Sequence, residues 1–560
     1  MVAEQPLRQN RHMDTIPSHE VYLSDIPDRP SDLGFSHDAW WEGQAVTIAR
    51  VLAGFGKADV VLLDAPTGSG KTLIGAAVGK IMGLPLVTLT HTLALQEQYR
   101  RTATWAVTAK GKNNFLCGHP EREIAQVVRK SLGVGELHAD QCDEYLECID
   151  PWRNGCPYFR SIGDAAEADQ VILNYAYALR IAQSAMIKRG IAVDEDDSPS
   201  PNPFRRELAV LDEGHLASNA IVQASSLEFW HRSLKRIGLD VPSGGVVDWR
   251  AWAEQAIPQV DEFDAGDDIV LHGRVKALRG RLGELCRLNA ASWIVRSEPG
   301  VTRIQPLWAR NVYDKFLAYY PKLLIMSATL GDPQLLVQKL GLEQRQVAYV
   351  EVPSTFPKQN RPTFYWPVVK LSAKSDDGDY AALASAIAYI ASQPHLAMRK
   401  GIVHTPSYKL VQRLQVEATA SGMVYPWQRF AFHTDARFRD EIIGVFRRAQ
   451  FPMVLVTPSL STGFDFPYEI GFQIIAKVPF ADLSDPVVRA QREYTLPDDP
   501  NFGKKCYDDD AMNQIVQAAG RAVRAPDDEG VSYILDENFW GLYKRAHAPE
   551  HFKETVSWLT

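Results

Sequence analysis

The sequence predicts an α/β protein of two or more domains, each a parallel sheet flanked by helices. Three observations predict it. At 560 residues the chain exceeds what one hydrophobic core organises, and 46% hydrophobic residues are enough to fill several. Short, continuous apolar runs recur with helical patterns between them, as expected of strands buried on both faces. The run from Val60 to Leu63 then passes through a glycine-rich turn into a helical pattern from Lys71 to Met82, the strand, loop and helix order of a parallel α/β unit.

Residues 1–33 carry scattered prolines and little periodicity and read as a lead-in. A helical stretch around Trp40 to Leu52 precedes the first strand. Further buried strands are expected at Leu86–Thr90, Gln170–Asn174, Leu208–Asp212, Lys322–Met326, Gly401–His404, Pro452–Thr457 and Phe472–Ala476. Three stretches break the alternation. Residues 110–160 hold a cysteine cluster, Asp194–Pro203 is an acidic Pro/Ser surface connection, and 217–310 is rich in Trp, Leu, Arg and Glu at helical spacing and reads as a mostly helical insertion. There is no internal repeat, and two α/β blocks are expected on either side of residue 350.

With 68 acidic against 60 basic residues the formal net charge is −8, which excludes a chain that grips polyanions through bulk positive charge. Any nucleic-acid contact has to be local. The acid is concentrated at 194–197, 261–268 and 508–510, whereas Arg399–Arg448 carries nine Lys/Arg against four Asp/Glu. Tyr408, Trp427, Phe430, Phe432 and Phe438 are interleaved there, a combination suited to a single strand's backbone and bases, although core aromatics beneath solvated arginines give the same pattern. No apolar run approaches the ~18 residues of a membrane span, and the polar start lacks the apolar core of a secretory signal. A cytoplasmic protein without membrane contact is expected, and its thiols should stay reduced.

The segment Ala65-Pro-Thr67-Gly68-Ser69-Gly70-Lys71-Thr72 lies between a buried strand and a helix, the context a phosphate-binding P-loop requires. Gly68 and Gly70 would let backbone N–H groups turn onto the phosphates of ATP at the positive end of the helix. Lys71 would neutralise the β/γ oxygens and Thr72 would ligate Mg²⁺. Such an ATPase needs an acidic strand end as well. Asp212-Glu213 follows the apolar run Leu208–Leu211, so Asp212 can take the metal side and Glu213 can polarise the attacking water. Alone, that pair reads as a solvated loop. Charge at the γ-phosphate could come from Gln517-Ala-Ala-Gly520-Arg521-Ala-Val-Arg524, where the two arginines share a face if the segment is helical and Gly520 permits close approach. A solvated basic helix face is the bland alternative.

In order, the P-loop, Asp212 to His215, Ser327-Ala-Thr329 and Gln517 to Arg524 resemble the motif series of superfamily 2 helicases. Finer features resemble the XPD/DinG iron-sulfur helicases: Thr90 to Gln98, Lys110 to Cys117, Gly155 to Phe159, Ala168 to Tyr175, Ser459 to Pro467, and Ala476 to Phe480 with Asp485-Pro486. The resemblance covers about residues 35–540. It implies two RecA-like motor domains, 34–345 and 346–560, after a 1–33 lead-in. The first would carry an iron-sulfur insertion at 110–160 and a helical arch at 217–310. It also implies adenine recognition by Gln44, nucleotide coupling through Gly463 and Asp465, and strand-phosphate contacts by Thr90, Ser461 and Thr462. Gly214 departs from the family's usual Ala, a small-for-small change expected to be harmless. The short lead-in and the end soon after the last motif read as a compact form.

The spacing C-x24-C-x5-C-x7-C of Cys117, Cys142, Cys148 and Cys156 lacks the tight pairs of zinc ribbons, so it suits a [4Fe-4S] cluster better than zinc without excluding the latter. The resemblance favours the cluster, as a pin or wedge at a duplex fork. Cys286 and Cys506 read as incidental thiols. Altogether the resemblance implies a monomeric, ATP-dependent DNA helicase moving 5′ to 3′ on single-stranded DNA and opening forked or tailed duplexes. A DNA-RNA hybrid is a further possible partner. An RNA or R-loop remodeller and an ATP-switched scaffold are the competing classes.

Overall fold

The computed structural model describes residues 13–17, 23–111, 114–115, 156–183, 204–266, 269–372, 374–458 and 468–559. The chain divides into two compact units. The first comprises Met1–Leu62, Lys71–Met326 and Val337–Val350, and the second Leu63–Gly70, Ser327–Leu336 and Glu351–Thr560.

An eight-stranded sheet underlies the first unit. In chain order its strands are β1 (Asp14–Thr15), β2 (Val60–Asp64), β3 (Leu86–Thr90), β4 (Val107–Thr108), β5 (Gln170–Asn174) and β6 (Leu208–Asp212). After a separate sheet of β7 (Leu227–Trp230), β8 (Trp293–Glu298) and β9 (Val301–Pro306), β10 (Lys322–Ser327) and β11 (Val347–Glu351) complete it. The spatial order is β1-β11-β2-β10-β6-β3-β5-β4. The pairs β10/β6, β6/β3, β3/β5, β5/β4 and β1/β11 are parallel. Strands β2, β3 and β6 are buried at every position, which is why their runs lack polar alternation.

Helices α1 (Gln44–Lys57), α2 (Lys71–Met82), α3 (Leu93–Thr102), α4 (Pro157–Glu167) and α5 (Tyr175–Gln183) follow or precede these strands. α3 starts where it does because Thr92 Oγ1 accepts the Leu95 N–H at 3.2 Å, satisfying an otherwise orphan donor. The described part of the lead-in is more tightly held than its composition suggests. Asp14–Thr15 extends the sheet beside Ala348–Tyr349, Ile16 is buried, and the Arg50 guanidinium donates twice to the Ile16 carbonyl at 2.8 and 2.6 Å.

The insertion between β6 and β10 is mostly helical, as its spacing predicts, and opens with a helix at Ala217–Ala224, but it carries a small sheet as well. Its helices α6 (His231–Arg236), α7 (Val246–Asp261) and α8 (Ile269–Cys286) carry the helical spacing, but β7, β8 and β9 form an antiparallel sheet. The alternation Trp293-Ile-Val-Arg-Ser-Glu298 and Val301-Thr-Arg-Ile-Gln-Pro306 makes a hairpin around Gly300, whose φ of 85° needs glycine. Phe229, Trp249 and Trp252 build the insertion's core, with ring centroids 5.2 to 6.0 Å apart.

The second unit has a seven-stranded sheet of β12 (Thr363–Val369), β13 (Gly401–His404), β14 (Phe430–Phe432), β15 (Val454–Thr457), β16 (Phe472–Ile475), β17 (Val531–Asp536) and β18 (Val556–Trp558). The order is β14-β15-β13-β16-β17-β12-β18, every pair parallel. Its period of two divides the core. Val403, Val454, Val456, Ile474 and Leu535 point to one face, packed under α9 (Asp377–Ser392) and α10 (Tyr408–Ala420). Ile402 and Leu455 point to the other, under α11 (Arg439–Arg448), and Ile475 and Ile534 do so under α12 (Phe502–Ala519) and α13 (Asn538–Arg545). Both faces are covered, as a parallel sheet requires.

Of the aromatic residues named above in the basic stretch 399–448, Trp427, Phe430 and Phe432 pack with the core, Tyr408 is half-buried and Phe438 is 55% exposed. Arg429 turns inward and donates to the carbonyls of Pro452, Ala391, Leu396 and Arg399. These residues bear structure, so the stretch is a weaker strand track than its composition suggests. No described helix is long and apolar enough to cross a membrane.

Candidate active site

Gly68 and Gly70 adopt φ of 87° and 71°, the left-handed conformations that turn successive N–H groups inward, and Lys71 is the first residue of α2. Thr67 and Ser69 lie in the same turn, partly exposed, and the Ser69 N–H donates to the Pro66 carbonyl at 3.2 Å. Within the second unit a Cβ on Gly68 would lie 2.3 Å from the Phe356 ring, so this glycine is required both by its φ and by the close approach of Phe356. Phe356 also packs on Ala522 and Val523. Thr72 Oγ1 accepts from Gln98 Nε2 at 3.2 Å, tying the loop-proximal hydroxyl to α3. Gln44 is buried at the start of α1, and its Oε1 accepts the Trp41 N–H at 2.8 Å.

Asp212 ends β6, buried, with Oδ1 accepting the Glu213 N–H at 3.0 Å and its carbonyl accepting from the Tyr175 hydroxyl at 3.0 Å. Burial, and next the Glu213 charge, push its pKa up to about 6, against the pull of Lys71. A carboxylate held in that condition beside a lysine suits a cation. Burial and the Asp212 charge in turn push the Tyr99 hydroxyl well above its usual range. Glu213 stands at φ 51°, a left-handed conformation uncommon outside glycine, with Oε2 3.5 Å from His215 Nδ1 and about a third of its side chain exposed. The turn after β6 therefore sends two adjacent carboxylates in different directions, Asp212 inward and Glu213 outward. Backbone strain of this kind is concentrated at functional sites.

Gly214 is not interchangeable with alanine in this chain. A Cβ there would lie 2.3 Å from Ile325 Cγ2, on the neighbouring strand β10. Gly214→Ala is expected to cost about 1–3 kcal/mol, as overpacking does, and to lower turnover by displacing Glu213. Denaturant unfolding alongside ATPase rates checks this, and an unchanged midpoint would contradict the packing.

In the second unit, Gln517 Nε2 donates to Thr329 Oγ1 at 2.8 Å, and the Thr329 N–H donates to Ser327 Oγ at 3.1 Å. The helical reading of Gln517–Arg524 needs correction: α12 ends at Ala519, Gly520 is its C-cap, and Arg521 and Arg524 lie beyond it. They do not share a helix face. Nor does Gly520 permit a close approach, since a Cβ would meet only the Val516 and Gln517 carbonyls, at 3.4 and 3.8 Å. Arg521 is buried and Arg524 half-buried.

Their positions are set by residues that carried no sequence signal. Asp528, buried, accepts the Arg524 N–H at 2.9 Å and the Tyr468 N–H at 3.3 Å. Gln473, fully buried, donates to the Ala519 carbonyl at 2.7 Å and to Ser532 Oγ at 2.9 Å, so its Oε1 accepts from His404 Nε2–H at 3.0 Å. Burial, with Arg521's charge adding to it, lowers the His404 pKa to about 4 although Gln473 opposes the shift, so the ring is neutral near pH 7. The network holds the helix end from which Arg521 departs. Asp536, fully buried on β17, accepts the Val478 N–H at 2.9 Å and fixes the Ala476–Phe480 segment.

Gly463 and Asp465, with Ser461 and Thr462, lie outside the described residues, as do Cys117, Cys142, Cys148 and the Asp194–Pro203 connection. Cys156 is described: it stands half-buried at the N-cap of α4, before Pro157. Among the described residues no group of three His, Cys, Asp or Glu is set to hold a metal.

Two parallel sheets covered by helices, the first opened by a P-loop, define two RecA-like domains and the fold of superfamily 2 helicases. Residues 392–555 match the model of the helicase C-terminal domain family. Among solved structures the chain is similar to an XPD helicase, at 17% identity over 93% of this chain and 99% of that one with a TM-score of 0.56. It is similar also to Xpd4 of S. tokodaii (14%, 93% and 100%, 0.55) and to XPD in its apo form (16%, 91% and 99%, 0.51). No curated protein matches the sequence. The fold is therefore similar to that of these XPD helicases, with a helicase C-terminal domain match in its second half.

Proposed function

We propose that this chain is an ATP-dependent DNA helicase that moves along single-stranded DNA, 5′ to 3′, and opens forked or tailed duplexes. The observation that carries the proposal is the convergence on one sheet edge of Lys71, Thr72, Asp212 and Glu213: a lysine at the positive end of α2, a hydroxyl beside it, and a buried carboxylate that the lysine's charge reaches. In this reading Thr67, Gly68, Ser69 and Gly70 cradle the phosphates, Lys71 neutralises them, and Gln44 recognises adenine. Thr72 and Asp212 hold Mg²⁺, which supplies charge to the β/γ oxygens when bound. Glu213, outside the buried pocket of Asp212, orients and deprotonates the attacking water. Arg521 and Arg524 supply positive charge and, with Gln517, the signal of nucleotide state to the second motor domain, with Gly463 and Asp465 in the coupling segment.

The domains would be motor 1 at 34–345, containing the iron-sulfur and arch insertions, and motor 2 at 346–560. Polarity and DNA preference rest on the sequence resemblance to the XPD/DinG helicases. The [4Fe-4S] assignment to Cys117, Cys142, Cys148 and Cys156 rests on their spacing and on the same resemblance. ATPase rates with single-stranded DNA, with RNA and without nucleic acid test the proposal. Stimulation several-fold greater by DNA than by RNA is expected, whereas equal stimulation by RNA, or none by DNA, would contradict it.

A further inference from the structure

The first unit holds a second concave feature, outside the nucleotide site and wholly within the insertion. A cavity of about 210 Å³ opens between β7, α6 and α8. Its floor is apolar, with Phe229, Leu234 and Leu278 all buried. Its rim is Trp230, Arg236, Arg274 and Arg281. Trp230 is 50% exposed yet is the N-cap residue of α6, so its backbone is fixed at the junction of a strand and a helix. An exposed indole on a rigid mount is a stacking surface.

Bases outnumber acids on the two segments that line the cavity. Residues 227–239 and 271–281 contain seven Lys/Arg against a single acid, Glu228, which is taken by Arg303 at 2.9 Å, while Arg279, one of the seven, pairs with Asp261 at 2.7 Å. Arg281 is pinned to the wall by donating from Nη1 to the Glu228 carbonyl at 3.1 Å, while Arg274 is exposed. An apolar floor, a flat aromatic ring and guanidinium forks fit an anion that carries a planar ring. The volume corresponds to about seven waters of liquid, enough for one heterocycle and too little for a base pair.

We propose that this pocket holds one unpaired nucleotide of a single strand, its base against Trp230 and its phosphate on Arg236 and Arg274. The assignment rests on the helicase reading, which supplies the strand. An acidic peptide with an aromatic anchor is the other chemistry the rim could meet. The nucleotide is favoured because basic residues run along both α6 and α8, as a continuous polyanion needs, whereas a single anchored side chain would use only one or two of them.

The test uses the full chain with a fluorescent dT15 strand. Trp230→Ala should weaken binding about tenfold and Arg274→Gln about threefold, the latter with the salt slope reduced by about one. Arg232→Gln, an exposed charge on α6 off the cavity lining, should change affinity less than twofold. A strand carrying 5-iodouracil should photocross-link to Trp230. Wild-type affinity in Trp230→Ala without cross-linking at Trp230 overturns the proposal, as does loss of affinity equal in Arg232→Gln and Arg274→Gln. Displacement of the cross-link by an acidic aromatic peptide but not by excess dT15 also overturns it. The ATPase rate at saturating DNA should be the same in all three variants and the wild type. A wild type that cross-links at Trp230 yet shows no DNA-stimulated ATPase would sink the motor reading and leave the pocket standing.

Discussion

Glu213→Gln is expected to bind ATP as the wild type does and to hydrolyse it at least about a hundred times more slowly. The substitution keeps shape and the left-handed backbone at φ 51°, and it leaves the N–H that Asp212 accepts. It removes only the outward carboxylate. If Glu213 aligns water and takes its proton, the loss falls on turnover and not on affinity, about 3 kcal/mol of transition-state stabilisation for two decades. Lys71→Ala should do the reverse first, weakening nucleotide binding by removing positive charge at the head of α2. Fluorescent-nucleotide titration and phosphate release measured on both variants separate the two effects. Retained turnover in Glu213→Gln would assign the water to another group.

Cys117→Ser is expected to abolish the brown absorbance, bound iron and duplex unwinding together. Serine replaces a soft thiolate by a hard hydroxyl that does not hold iron-sulfur clusters, and the loss of one of four ligands unseats the remainder. Iron and zinc content with a visible spectrum are the readouts. A colourless wild type carrying one zinc would replace the cluster by a zinc site, and a brown variant that unwinds normally would remove Cys117 from the ligand set.

The strands beneath the site were legible because each is buried on both faces: Val60–Asp64, Leu86–Thr90 and Leu208–Asp212 carry runs that no amphipathic helix would. The P-loop was legible for a different reason, since two glycines before a lysine impose a local backbone shape that depends little on the rest of the fold. The edge strands Asp14–Thr15, Val107–Thr108 and Phe430–Phe432, two or three residues each, are too short to show a period. The hairpin of the insertion was hidden by the helical spacing around it. Partners defined by tertiary packing left no signal at all. Asp528 reads as one more acid in an acidic turn until the Arg524 and Tyr468 N–H groups meet it, and Gln473 reads as a polar interruption of a strand until His404 and Ala519 use it. The need for glycine at position 214 left no signal on the same ground, because Ile325 comes from a strand distant in sequence.

The most direct test of the motor reading is strand displacement from forked DNA carrying either a 5′ or a 3′ single-stranded tail, with ATP and Mg²⁺ and the iron-loaded full chain. The 5′-tailed substrate should be unwound, the 3′-tailed substrate should not, and Glu213→Gln should unwind neither. Unwinding that requires a 3′ tail, that proceeds equally from an RNA tail, or that continues in Glu213→Gln would contradict it.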